Sequence, residues 1–358
     1  TSSTGITLSG GITTSNATGN NVTLTGPVII SGSVDIDTDT AGTDGTIGFS
    51  STIIGNSGTD NLTIDSGGSG ITFGGTIGVT TPLTSLNINQ DGGAVALTIP
   101  QIGTAGGAAG VSGATNIGTT STATVDMSAA SYKFGGTTAI KAGTASTGTT
   151  FSAADTAVDL SNANITITNA VVIADGTLDI NSAGGDISIT GAITSAGTDE
   201  ALILDDGTGT SGSITLGSTV SSGSITLIGD SGISLANNLI STNTADGAIS
   251  LTGPVTLAGD ITIDADANNT SVTFNSTATV NSDGTPRDLT INTGAGAIAM
   301  QGVIGGSAEL DVISINSATT GAGTIEITNT QADGAVSIGN SNTATLTLDG
   351  TAYTTTGT

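Results

Sequence analysis

Carboxylates are the main source of ionic chemistry in this chain, and three of them are regularly spaced. The chain has 29 acidic residues against three basic ones, Lys133, Lys141 and Arg287, and it has no His or Cys. Asp35, Asp37 and Asp39 alternate with Ile36 and Thr38. In an extended strand this puts all three acids on one side, roughly 6.6 Å apart. Calcium takes six to eight oxygens at about 2.4 Å, so such a row chelates an ion only with oxygens from an adjoining segment. The row recurs as Thr262, Asp264 and Asp266. Asp35, Asp37, Asp39, Asp264 and Asp266 are therefore the metal candidates, with calcium as the cation and no other cofactor expected. Their alternative role is a solvated acidic face that opposes aggregation. Neither the EF-hand loop pattern nor a Gly-Gly-x-Gly-x-Asp array occurs.

Glycoside hydrolysis needs two carboxylates facing each other across a groove. Asp199, Glu200, Asp205 and Asp206 supply acids, but adjacent residues on a strand point to opposite faces. Basic and aromatic side chains that would position a sugar are nearly absent, so no enzyme is expected, and a polysaccharide-acting enzyme is the lesser alternative. In a chain with only 2% aromatic residues, Tyr132, Lys133, Phe134 and Phe151 stand close together and are the ligand-binding candidates.

The elements that must hold these residues are short. Apolar residues recur in alternating runs such as Ile6-Thr7-Leu8, Leu62-Thr63-Ile64, Leu86-Asn87-Ile88, Ile187-Ser188-Ile189 and Ile261-Thr262-Ile263, bounded by Gly, Asn, Asp or Ser. Period-two alternation of β-branched residues specifies strands, and no helix-period stretch occurs. Leu62 to Leu86 is a step of 24 residues, as is Leu289 to Ile313, and each step contains a second run, Ile71-Thr72-Phe73 or Ile298-Ala299-Met300. Two or three short strands per step predict one coil of a parallel β-helix, and about 15 coils stacked 4.8 Å apart would give a rod on the order of 70 Å long.

A tandem duplication reinforces that expectation. Residues 5–89 lie on 232–316 at a shift of 227 with one small compensating slip: Val22-Thr23-Leu24-Thr25-Gly26-Pro27-Val28 meets Ile249-Ser250-Leu251-Thr252-Gly253-Pro254-Val255. The second copy reads as stopping part-way, as in an excerpt from something longer. The expected organisation is β-helix coils over 1–102, an irregular or looped excursion over 103–156, and coils again over 157–358. The excursion is marked by Gly106-Gly107-Ala108-Ala109-Gly110 and the Gly/Ala/Thr-rich run from Ala142 to Thr150.

A net charge of −26 speaks against nucleic acid, whose phosphates require cationic side chains, and against anionic membrane surfaces. No apolar run is long enough to cross a bilayer, and the first residues have no signal-peptide pattern. Interrupted Thr-x-Thr runs do not form the uniform array an ice-binding face needs, and the Asn-x-Thr sequons run into strands as compositional accidents.

The texture of Gly70 through Ile88, Gly-Ile-Thr-Phe-Gly-Gly-Thr-Ile-Gly followed by Leu-x-Ser-Leu-x-Ile, resembles the repeat regions of giant bacterial exoproteins, the filamentous-haemagglutinin-like adhesins of Gram-negative bacteria. The resemblance covers most of the chain outside its middle excursion. It implies a right-handed parallel β-helix, an extracellular or outer-surface location, and a shaft that mediates attachment. The implied partners are a cell-surface glycan or protein or a neighbouring fibre, without membrane insertion. A passive spacer whose recognition function lies elsewhere is the other expectation.

Overall fold

A computed structural model describes residues 1–14, 20–39, 44–90, 93–143, 148–207, 211–242, 247–317 and 321–356. Its elements are β-strands, from two residues (Ile12–Thr13) to six (Asp155–Leu160), with one 3-10 turn at Asp266–Asn268. The chain divides into two units, Thr1–Gly185 and Asp186–Thr358.

In the first unit the chain runs through Val28–Ile30, Ser33–Asp37 and Ile47–Phe49, turning a corner after each. It then repeats the circuit as Ile53–Gly55, Asn61–Asp65 and Ile71–Phe73, and each strand pairs in parallel with its predecessor. The second unit is built the same way. There Ile249–Thr252, Val255–Leu257 and Ile261–Asp264 pair with Val272–Phe274, Val280–Ser282 and Leu289–Asn292. Each unit is thus a three-faced parallel β-solenoid, as the alternation and the 24-residue step predict.

Register explains why this sequence suits the fold. Ile36, Ile64, Ile88, Ile117, Ile140 and Ile167 are successive partners in one ladder that Ile12 begins, and each of the first five lies between two Ile partners. All six are fully buried. Branched side chains of equal size nest on one another with few voids, and each buried Ile contributes roughly 2–3 kcal/mol. Outward positions of the same strands form polar ladders. Asn61 donates to Ser33 Oγ (3.1 Å), Ser85 donates to Asn61 Oδ1 (2.8 Å), and Asn116 donates to Asn87 Oδ1 (2.8 Å).

The duplication is visible in the backbone. Asn89 and Asn316, one shift apart, are both buried left-handed residues, with φ of 50° and 47°. Asn tolerates that region better than other non-glycine residues. Gly78 and Gly305 match likewise, with φ of 67° and 73°, and a Cβ on either would fall 1.9 Å from Gly110 O or 2.1 Å from Gln331 O. The correspondence also runs past residue 316. Ile117-Gly118 meets Ile338-Gly339, and the Thr122 and Thr343 hydroxyls accept the amides of Thr119 and Asn340 at 2.8 and 2.9 Å. Tyr132 meets Tyr353. The shift is 228 at Ile102 and Thr330 and drops to 221 at Val111 and Ala332, because the eight residues 103–110 between Ile102 and Val111 are replaced by Gln331 alone between Thr330 and Ala332.

The irregular segment is accordingly narrower than 103–156. Among the described residues of this stretch, only Gly103–Gly110 leaves the face. Thr115–Ile117, Thr124–Met127, Ser131–Phe134, Thr138–Lys141 and Thr149–Phe151 are ordinary parallel strands. Composition suggested otherwise because the inward positions here mix large rings with the buried Thr115, Thr138, Thr149 and Thr156, a large-small packing that still fills the coil. Within the low-apolar run, residues 144–147 lie outside the described residues.

Corners are closed by polar side chains, most completely at Asp60. Its Oδ1 accepts the Gly32 amide (2.8 Å), and Oδ2 accepts those of Asn56 (2.6 Å), Ser57 (2.7 Å) and Gly58 (3.2 Å). Burial alone would raise this carboxyl's pKa, but the four amides outweigh it and hold the group below the usual carboxylate value. Asp60→Ala leaves those donors unmet and should cost about 2–4 kcal/mol, measured by chemical denaturation at neutral pH. An unchanged midpoint would remove Asp60 from the account of this corner.

Candidate functional site

The acidic rows are parts of corners. Asp35 is exposed in mid-strand opposite Thr63, and Asp37 ends the strand opposite Asp65. The Asp39 amide donates to Asp37 Oδ1 (3.0 Å), the Gly67 amide to Asp65 Oδ1 (2.9 Å), the Gly207 amide to Asp205 Oδ1 (2.7 Å) and the Asp266 amide to Asp264 Oδ1 (3.1 Å). Each is a carboxylate receiving the amide two residues on, which bends the chain from one face to the next. Asp37 and Asp264, one shift apart, therefore do the same structural work. Asp266 starts the 3-10 turn, and its carboxyl is pushed up by burial and then by the charge and hydrogen bond of Asp264. Among the described residues no group of three or more His, Cys, Asp or Glu is arranged to hold a metal ion.

Glu200 and Asp206 flank the strand Ala201–Asp205, roughly 20 Å apart in an extended chain. That is well beyond the 5–10 Å that separates catalytic carboxylates in glycosidases. Asp206 is fully buried and accepts the Asp230 amide through both oxygens (3.1 and 2.9 Å). Burial pushes its carboxyl up to about 6, and the charges of Asp230 and Asp205 act in the same direction against the amides of Asp230 and Ser231. Alternation along the strand sends Asp205 outward and Asp206 inward, as expected for neighbouring residues.

The rings chosen as ligand contacts point into the core. Tyr132, Phe134 and Phe151 are fully or almost fully buried, and the first two stack at 6.3 Å between centroids. The Tyr132 hydroxyl donates to Ile99 O (2.9 Å) and accepts the Ala129 amide (2.9 Å). Burial raises this phenol well above its ordinary pKa. Aromatic residues amid Gly and Ala suggested an exposed platform, but the alternation Ser131-Tyr132-Lys133-Phe134 assigns both rings inward once the strand is recognised. Only Lys133 faces out, with Nζ donating to Leu160 O (3.1 Å).

The sequence reading missed how the Gly103–Gly110 loop is fastened. The Ala105 amide donates to Ser131 Oγ (2.6 Å), and the Gly106 amide to Asp159 Oδ2 (2.7 Å). Lys133 and Asp159 are register partners on adjacent strands, so the loop is held over this part of the face. In the second unit, the loop through Gly305 and Gly306 borders a shallow cleft of about 270 Å³ lined by Thr279, Asn281, Val303, Gly306 and Ser307. Asn281 Oδ1 accepts the amides of Ser307 (2.9 Å) and Ala308 (3.2 Å).

Parallel in-register coils, internal apolar ladders and a tandem repeat define a parallel β-solenoid, a fold consistent with repetitive extracellular fibrous proteins and suited to a structural, scaffolding role. No protein-family model, curated protein or solved structure matches the chain.

Two substitutions test these assignments. Tyr132→Phe leaves the Ala129 amide and Ile99 carbonyl without their shared hydroxyl and should cost about 1–3 kcal/mol in denaturation. An unperturbed melt would place the hydroxyl outside the fold's hydrogen bonding. Asp206 binds its proton more tightly folded than unfolded, so its contribution to stability is greatest below pH 4 and is lost as pH rises to about 6. Asp206→Asn should flatten this part of the profile, raising stability at pH 7.5 relative to pH 4 by on the order of 1–2 kcal/mol after solvent screening at the corner. Parallel wild-type and variant profiles would show that Asp206 titrates normally.

Proposed function

We propose that this chain is a shaft segment of a large secreted or cell-surface bacterial protein, spacing and presenting parts of a molecule that attaches to cells or surfaces. The reading is supported chiefly by the ladder of Ile36, Ile64, Ile88, Ile117, Ile140 and Ile167. Such a stack is a stiff spacer whose stability comes from neighbouring tiers and requires no bound ligand. The resemblance to filamentous-haemagglutinin-like repeats supplies the bacterial surface setting. A face dominated by Thr, Ser, Asn and carboxylates suits that setting, as does the near absence of trypsin sites.

A second reading makes the segment adhesive in its own right, for a glycan, a surface protein or a neighbouring fibre. One observation favours it: the loop Gly103–Gly110 is fastened down in the first copy and has no counterpart in the second. The burial of Tyr132, Phe134 and Phe151 weighs the other way, because it withdraws the rings that would stack on a sugar.

The test is binding of the purified chain to intact bacterial and host-cell surfaces, with calcium and then with a chelator. The spacer reading expects no saturable binding while the β signal stays intact. Saturable binding that disappears when residues 103–110 are replaced by the single Gln of the second copy would establish the adhesive reading instead. Loss in chelator would assign the acidic corners a role in it.

A further inference from the structure

One buried acid stands without a partner. Glu200 opens the alternation Glu200, Leu202, Leu204, Asp206, whose members face the core, and it is only 9% exposed. Its backbone is fixed, since the carbonyl accepts Ser222 Oγ (3.0 Å) and the Ser224 amide (3.3 Å) of the following tier. Its carboxyl is not. Oε2 is buried and receives no hydrogen bond, and no cationic side chain pairs with it. The group lies against its own corner loop, where a Cβ on Gly197 would fall 2.6 Å from Oε1 and 3.2 Å from Oε2.

Other corners show how unusual this is. Fully buried Thr38, Ser182 and Thr293 each donate their hydroxyl to a carbonyl across the corner, that of Gly45, Gly185 or Gly296. Asp60 is the closest comparison. The strand Ile53–Gly55, five corner residues and the strand Asn61–Asp65 follow one another there, as do Ile193–Ser195, five corner residues and Ala201–Asp205 here. Asp60 and Glu200 both stand last in the corner. Asp60 gathers three amides of its own loop, whereas Glu200 Oε2 gathers none. The exposed residues 196–199 offer oxygens instead. Thr198 Oγ1 donates to Asp199 Oδ1 (3.3 Å), and the Gly197 carbonyl accepts Ser195 Oγ (3.0 Å).

We propose that the corner Ser195–Glu200 binds a calcium ion, which supplies the positive charge that the buried Glu200 carboxylate lacks. Burying a carboxylate is costly unless a counter-charge or donors meet it, and this corner provides neither. Glu200 and Asp199 balance the ion's charge, and the Thr198 hydroxyl, the Gly197 carbonyl and water complete the six to eight oxygens that calcium takes at about 2.4 Å. Softer metals favour nitrogen and sulfur ligands, and the chain has no His or Cys. Magnesium demands near-octahedral geometry and gives up its water reluctantly, so an irregular loop around one buried carboxylate suits it less. The regularly spaced acids are engaged otherwise, because Asp37 and Asp264 already accept amides. Bound calcium pins the exposed loop 196–199 to its tier.

Calorimetric titration of calcium into the chelator-stripped chain, paired with thermal unfolding in calcium, magnesium or chelator, tests this without any cell surface and so separately from the shaft and adhesive readings. The expected result is one saturable site with a Kd on the order of 10⁻⁴–10⁻³ M, and a melting midpoint raised by calcium more than by magnesium. Glu200→Gln keeps the shape and removes the charge, and should weaken binding at least about tenfold and abolish the calcium shift. Asp199→Asn alters only an exposed side chain and should weaken binding without changing the melt in chelator. Asp35→Asn, at an exposed acid outside the corner, should bind as the wild type does. Absence of binding at calcium concentrations about tenfold above the expected Kd range, or unchanged binding by both Glu200→Gln and Asp199→Asn, overturns the proposal. So does an equal response to magnesium, which would mark general screening of an acidic surface.

Discussion

Every tier depends on its neighbour. A strand of three to five residues has two or three inward side chains, and each of them is covered above and below by those of the neighbouring tiers as well as from the facing strands of its own coil. The ladder through Ile36, Ile64 and Ile88 shows the consequence: one residue type at one position, repeated at the strand spacing, with each side chain serving as its neighbour's core. At roughly 2–3 kcal/mol per buried Ile, repeated in every tier, this term in sum outweighs the corner hydrogen bonds, each of which contributes about 1 kcal/mol, or about 1.5–3 kcal/mol where a carboxylate accepts it. Stacking therefore provides the stability, and the corners keep successive tiers in register.

That division explains how the chain uses its acids. Asp37, Asp65, Asp205 and Asp264 each fold back on the amide two residues ahead, and Asp60 gathers four amides. A carboxylate accepts several hydrogen bonds without needing a donor of its own, which suits a corner where backbone N–H groups converge. The resulting charge is borne with little pairing. Arg287 and Asp283, 2.9 Å apart, form an exposed ion pair, and such pairs add little. Asp206 marks the limit of the strategy, being fully buried with two more carboxylates nearby.

Much of this was legible in the sequence. Alternation gave the strands, the 24-residue step gave the coil, and the constant shift gave the duplication. The rings were misread because composition was weighed over alternation: Tyr132 and Phe134 are inward by the same period-two rule that places Ile64. The corner role of the acidic row was not legible for a related reason. A one-dimensional spacing shows which side Asp37 occupies, but not that an amide two residues later will claim it. The continuation of the second copy past residue 316 escaped notice because the shift falls from 227 to 221, and only the tier register matches Ile102 and Val111 with Thr330 and Ala332.

The two copies also separate what the fold demands from what it leaves open. Inward and corner positions match closely: Asn89 with Asn316, Gly78 with Gly305, Tyr132 with Tyr353. Outward positions diverge, with Ile54 opposed to Asn281, Lys133 to Thr354, and a fastened loop to a single Gln331. Even a corner can change chemistry, since the position of Asp60 holds Arg287, whose amide is instead accepted by Ser282 Oγ (3.0 Å). A side chain facing water has no tier to fit, so its substitution costs the stack almost nothing. Recognition properties can therefore change along such a chain while its core and dimensions stay the same.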